Sequence, residues 1–371
     1  MKLLIIRFSV LLMRLLYFPM KKMKKTKNKI VWFSRQSDVK SEDMVLLSSR
    51  ISELSPQTQQ VFRLKKLDKE ENLSLLYIFS IIGDMWHLAD SSVAICDTYS
   101  VPVSCLNHKK NLKVIQIWHA LGAIKRFGLQ SAGKENGRDS GLAKVLSMHK
   151  NYDIVIAPSH ETGTFYAKAF GCDEDKIKVA SLPRVDIILD RTSRRDEFLS
   201  ANPSFENKKI CVYLPTFRRG EHQIANKLIE AFSGYADGGL VVSSHPLSEQ
   251  GIRNFNGDFS VYDLMKLADE VITDYSASAF ETALLYKPLW FYAPDYDMYL
   301  DAQGGLNVDV KTAINGAFFT DAEKLVKAIK SGAYDFESLK KFEKRYVTYS
   351  DTDSTKRLAE IIISELKEEN L

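Results

Sequence analysis

The chain has 371 residues, 45% hydrophobic and 26% charged, which excludes an extensively disordered protein and leaves room for two domains. A formal net charge of +4 is too small to announce nucleic-acid binding, and the excess sits at one end: no acidic residue precedes Lys29. The four cysteines, Cys96, Cys105, Cys172 and Cys211, form no CxxC pair and have no histidine at metal spacing. They read as free thiols in a reducing compartment, with no metal site among them.

The first 28 residues read as an amphipathic, basic membrane-association segment. Arg7 and Arg14 interrupt the apolar run of MKLLIIRFSVLLMRLLYFP, so its clean stretch falls far short of the ~20 residues of a span. On a helix these two arginines share one side, with Leu4, Leu11, Leu15 and Phe18 opposite. The pattern predicts a helix lying in the headgroup layer, ended by Pro19, with Arg7, Arg14, Lys21, Lys22, Lys24 and Lys25 facing anionic lipid. An amphipathic helix packed on the protein itself and a tilted span are the competing readings.

From Lys29 the pattern alternates. KIVWFSR is a first strand, EDMVLLSSRISEL a helix, VFRLKK a strand, LSLLYIFSIIGDMWHLADSS a helix, and VAICDT, KVIQIWH and YDIVIAPS are strands. ETGTFYAKAFG is a helix closed by Gly171. The polar stretch 191–209 marks a boundary, after which the alternation restarts with KICVYLPTFRR, a helix over 223–233, GLVVSSHP, VYDLMKLADEV, VITDYS, SAFETALLYK and PLWFYAPD. Helices dominate after Phe319. This spacing predicts an α/β protein of two Rossmann-like, doubly wound domains facing a cleft, one over 29–190 and one over 191–371.

The carboxyl ends of the strands concentrate chemistry. The stretch IQIWHALGAIKRFG (115–128) delivers His119, with Lys125 and Arg126 close behind. Later strands deliver Thr216, Arg218 and Arg219, then Ser244 and His245, then Asp274, Ser276 and Ser278. A helix opening at Asp274–Ser278 offers orphan amides and a positive dipole end to a pyrophosphate, and Glu281 can accept from both ribose hydroxyls. The two histidines can take a proton from an attacking hydroxyl or donate to phosphate oxygen.

The blocks WHALGAIKRFG, LPTFRR, SSHP and ITDYSASAFETALLYKPLWFYAPDYDMY occur in an order that resembles the CDP-glycerol glycerophosphotransferase family, the makers of teichoic acids and some capsule polymers. The resemblance implies a glycosyltransferase-B-type fold and a CDP-polyol donor, CDP-glycerol or CDP-ribitol. It also implies a polyprenyl-diphosphate-linked saccharide acceptor and peripheral attachment to the cytoplasmic membrane face. Under it, the two functional histidines correspond to His119 and His245, and the donor site to Arg218, Ser276, Ser278 and Glu281. His119 becomes the base, with Lys125 and Arg126 near the acceptor's phosphate. The chain departs from the family pattern at Ala120, where many members carry glycine. Two other readings stay open here: a nucleotide-sugar transferase or epimerase of the same fold, and a non-catalytic membrane-docked assembly partner.

Overall fold

The computed structural model describes residues 2–66, 75–190, 192–216, 221–243 and 253–366. The chain folds as two units. The first takes its described residues from 2–120, 127–186 and 353–366, the second from 121–126 and 187–352.

In the first unit, helix α1 (Lys2–Met23) is followed by β1 (Lys29–Ser34), α2 (Glu42–Leu54), β2 (Gln59–Leu64), α3 (Leu75–Leu88), β3 (Val93–Cys96) and α4 (Val101–Cys105). Then come β4 (Lys113–Gln116), α5 (Ser140–Val145), β5 (Ile154–Ala157), α6 (His160–Phe170) and β6 (Ile177–Val179). All pairings in this sheet are parallel, in the order β2-β1-β3-β4-β5-β6. The buried runs Ile30–Phe33 and Val93–Cys96 show why: strands covered by helices on both faces are apolar throughout rather than alternating. Gly171, in the left-handed conformation, closes α6 as expected.

Helix α7 (Arg184–Leu189) leads to the second unit: α8 (Arg195–Ala201), β7 (Lys209–Leu214), α9 (Glu221–Ser233), β8 (Gly238–Val242), α10 (Val261–Leu267), β9 (Glu270–Thr273), α11 (Ser278–Leu284), β10 (Leu289–Tyr292) and α12 (Tyr296–Gln303). A short β11 (Phe318–Phe319), α13 (Ala322–Ser331) and α14 (Phe336–Tyr346) complete it. Its strands, again all parallel, run β11-β10-β9-β7-β8. In both sheets the second strand lies on one side of the first and the third on the other. A topological switch point therefore falls at β1/β3 in one unit and at β7/β9 in the other.

The boundary between the units falls at 186/187 rather than 190/191, and the division departs from a single cut in two further places. Helix α15 (Ser354–Ser364) belongs to the first unit, where it packs on α2 and buries Leu358, Ala359 and Ile362. Asp186 holds its start, accepting from the amides of Ser354 and Thr355, each at 2.9 Å. The other exception is the segment 121–126, which belongs to the second unit.

Helix α1 runs through Pro19 to Met23, one turn beyond the expected stop. Its orientation also corrects the sequence reading. The side that carries Arg14 docks on the first unit: Val10 and Tyr17 are buried, Arg14 Nε donates to the Cys105 carbonyl at 2.8 Å, and Tyr17 Oη meets His108 Nδ1 at 3.1 Å. Lys21 donates to the Asn107 carbonyl at 2.6 Å, and Lys24 pairs with Asp90 at 2.9 Å and lies over the Trp86 ring. These tethers hold the last turn, despite the backbone bond that Pro19 cannot make. Lys21 and Lys24 are thus half-buried against the protein, Arg14 is tethered through Nε but remains exposed, and Arg7, Lys22 and Lys25 are exposed as well. The opposite side, with Leu4, Ile5, Phe8, Leu11, Leu15 and Phe18, faces outward.

Candidate functional site

Two strand-end clusters carry the candidate chemistry, one in each unit. In the first, β4 ends at Gln116, three residues short of His119. The buried Gln116 side chain accepts from the Trp118 amide at 2.9 Å and donates to the Thr98 carbonyl at 3.2 Å. Trp118 adopts a left-handed backbone (φ 57°), a conformation that costs a bulky residue about 1–3 kcal/mol. Stacking on Phe127 at 4.6 Å and an edge contact with Phe170 at 5.3 Å hold it there.

This turn carries His119 over the end of β3, where its Nδ1 lies 2.8 Å from the Asp97 carbonyl. A carbonyl oxygen can only accept, so Nδ1 bears the proton and the lone pair of the neutral ring lies on Nε2, the form a general base requires. From the other side, Arg184 Nη2 donates to the His119 carbonyl at 3.1 Å. Asp43 pins that arginine, accepting from its amide at 2.8 Å and from Nε at 2.9 Å. The Asp97 carboxyl, 4% exposed, is pushed up to about 7 by burial, partly offset by hydrogen bonds from Ser34 and Thr98.

Asp97 has a sequence signal of its own: it is the first polar residue after the apolar run VAIC of its strand. Asp43 and Arg184 have none, because 141 residues separate them.

In the second unit the switch point lies beside Thr216 and Asp274. The Asp274 carboxylate is wholly buried and accepts from the Thr216 amide (2.9 and 3.1 Å) and the Tyr275 amide (2.6 Å). It ties two strand ends together. Its expected part as helix cap does not hold, since its oxygens accept from these main-chain amides. The cap position of α11 is Ala277.

Ser276 and Ser278 do meet at this turn, with their hydroxyls 2.9 Å apart. Tyr275 stacks on Tyr299 with centroids 3.9 Å apart and donates to Asp295 at 3.2 Å, which stiffens the loop. Glu281 is 4% exposed and so is no solvated helical charge. The Thr216 hydroxyl is buried and finds no hydrogen-bond partner among the described residues.

Lys125 and Arg126 stand on this second unit, not on the first unit with His119. Lys125 bridges to Leu306, and Arg126 Nη1 donates to the Gly304 carbonyl at 2.7 Å. Gly122 permits that path: a Cβ there would lie 2.4 Å from the Phe280 ring of α11. His245, Arg218 and Ser244 lie outside the described residues.

Residues 15–364 match the family described as CDP-Glycerol:Poly(glycerophosphate) glycerophosphotransferase. The chain belongs to this glycerophosphotransferase family. Its resemblance to that family in the sequence blocks thus holds across nearly the whole length, and the chain is a transferase enzyme. Among the family's relatives, it is 30% identical over 358 residues to the teichoic acid ribitol-phosphate primase of Bacillus spizizenii, covering 88% of this chain and 92% of that protein. It is 28% identical over 300 residues to the teichoic acid glycerol-phosphate primase of Bacillus subtilis, covering 76% of each. A solved structure of the wall teichoic acid polymerase TagF superposes with a TM-score of 0.71 at 20% identity, over 93% of this chain and 90% of that one. The glycosyltransferase-B-type fold expected from the sequence is therefore the fold of this glycerophosphotransferase.

Proposed function

We propose that this protein transfers a polyol phosphate, glycerol phosphate or ribitol phosphate, from a CDP-polyol to a hydroxyl of a membrane-lipid-linked saccharide in teichoic acid or related polymer synthesis. The acceptor oxygen bonds to the polyol-bearing phosphorus and the bond from that phosphorus to the bridging oxygen breaks. CMP leaves, and the hydroxyl proton passes to His119 Nε2. The observation that carries the reading is the Nδ1 bond to the Asp97 carbonyl, which leaves His119 in the base-competent tautomer. Arg184 and Asp43 position the ring by holding its main chain.

On the donor side, Ser276, Ser278 and Thr216 contact the phosphates and Glu281 takes the ribose. His245, Ser244 and Arg218 hold the charge that develops on the leaving group. Positioning and electrostatics supply most of the acceleration, as in phosphoryl transfer generally.

The chain works at the cytoplasmic membrane face with α1 lying in the interface. Leu3–Met23 is long and apolar enough to cross a membrane by length and composition. Docking along Val10, Arg14 and Tyr17 favours lying over spanning, since crossing the bilayer would strip those contacts.

Incubation with CDP-glycerol or CDP-ribitol and a short-chain lipid-linked disaccharide tests the reading. Release of CMP and an acceptor heavier by polyol phosphate units are expected. Release of a nucleoside diphosphate from a nucleotide sugar would establish the sugar transferase instead, and absence of cytidine-nucleotide binding would mark a non-catalytic partner.

A further inference from the structure

We propose that a basic recess at the carboxyl edge of the first sheet, built on Arg35, Arg63 and Lys65, binds the diphosphate of the lipid-linked acceptor. The inference rests on the transfer reading above and adds to it the place of the acceptor's anionic group.

Topology puts the recess at the β1/β3 switch point, the position where ligands of open α/β sheets collect. Arg35 directly follows β1, Lys65 directly follows β2, and Arg63 lies near the end of β2. Among the described residues that line it, three cations accompany one carboxylate, Asp84. That carboxylate orients rather than cancels. Arg63 Nε donates to Asp84 Oδ1 at 2.7 Å and its Nη2 to the Ser80 carbonyl at 3.0 Å, so the guanidinium is held before any ligand arrives. Gly83 makes room for it, because a Cβ there would lie 2.7 Å from Nη2. Burial pushes Asp84 up to about 6, so acidification below that value makes the recess more cationic.

Two neighbours say which anion fits. The far wall is Val101 and Pro102 of α4, and Val101 shares an apolar cluster with Val10 of α1. The near wall is α3, which carries Ser80 and Asp84 into the recess and leaves Phe79 and Trp86 exposed. The cations thus border α3 and lie one buried helix, α4, away from α1, so both helices that present apolar surface are close by, the setting for a phosphate attached to a lipid tail. On the other side, Ser34 at the rim bonds the Asp97 side chain, and the Asp97 carbonyl holds His119. Strands β1 and β4 are two ladder spacings apart, about 10 Å. An anion in the recess therefore sits one or two sugar or polyol units behind the hydroxyl presented to the base.

The test uses the full chain, calorimetry and steady-state kinetics with two probes: the acceptor saccharide on a short prenyl diphosphate, and the same saccharide on a neutral alkyl chain. A charge-assisted hydrogen bond to phosphate carries about tenfold or more in affinity. The Arg35→Gln/Lys65→Gln variant should therefore bind the diphosphate probe roughly 100-fold more weakly and raise its KM alike. The KM for donor and for the neutral probe should not move, and Arg35→Lys/Lys65→Arg should restore most of the loss. Should the double variant lose its melting transition, Lys65→Gln alone makes the same comparison.

Equal losses for both probes, or no loss for either, would overturn the assignment. An equal loss of binding to acceptor-free phosphatidylglycerol vesicles would also overturn it, by showing that the recess reads bilayer charge. Binding of the diphosphate probe needs no turnover. A protein that binds it through these cations yet transfers nothing from a CDP-polyol would sink the transfer reading and leave the recess standing.

Discussion

Replacing Leu4, Phe8, Leu11 and Leu15 together by serine tests the orientation of α1. These side chains are 67, 66, 52 and 63% exposed, on the side away from Val10 and Tyr17. Full burial of such a side chain is worth about 1.5–3 kcal/mol, so moving the exposed fractions of all four into lipid is worth roughly 4–7 kcal/mol. In a vesicle sedimentation assay the quadruple variant should bind about a thousandfold more weakly, or worse. Its melting temperature should hold, because the substituted faces touch water in the folded protein. The docking face predicts the opposite. Val10→Ala/Tyr17→Ala empties a buried contact at a cost of about 3–5 kcal/mol, lowers the melting temperature and leaves vesicle affinity intact. With Lys21 and Lys24 engaged by the protein, Arg7, Lys22, Lys25 and the exposed part of Arg14 remain for lipid, so the apolar face should supply the larger share of the binding free energy and measurable binding should survive in neutral vesicles and in high salt. The reasoning is refuted if the quadruple variant sediments like the wild type, or if it melts early. Either result would mean that the apolar face packs on protein.

His119→Ala should slow turnover about 100- to 10,000-fold with donor affinity unchanged, and a variant keeping most of its rate removes His119 from the mechanism. Asp43→Asn weakens the hold on Arg184, so kcat should fall at least tenfold at unchanged donor KM and the lower arm of its pH profile should shift; an unaltered profile would leave the pair a merely structural role. Glu281→Gln should weaken cytidine-nucleotide binding more than it weakens binding of the 2′-deoxy analogue, which calorimetry can compare directly. The raised Asp97 carboxyl binds its proton more tightly folded than unfolded, so its contribution to stability is present below about pH 4 and is lost as pH rises toward 7. Asp97→Asn should accordingly melt higher than the wild type at pH 8, with the gap closing toward pH 4; a constant gap would show that Asp97 ionises normally.

Sequence patterning alone determined the alternation of buried strands and amphipathic helices, the restart after residue 191, and the strand ends that carry His119, Thr216, Asp274 and Ser276. These are local properties, set by side-chain period and by where an apolar run stops. The family blocks lie on those same strand ends, so family membership was legible as well. What only the tertiary structure decided depends on partners remote in the chain. Periodicity showed that α1 has two faces, but not that the arginine face would meet Cys105 and turn the leucines outward. Asp274 reads locally as a helix cap, yet Thr216, 58 residues earlier, supplies an amide that takes its carboxylate. Lys125 and Arg126 follow His119 in sequence but belong to the other unit, because the loop passes where Gly122 can approach Phe280. Helix α15 returns to the first unit because Asp186, 168 residues away, holds its first amides. A single chain records which groups need a partner; the packing of distant segments decides which partner each one finds.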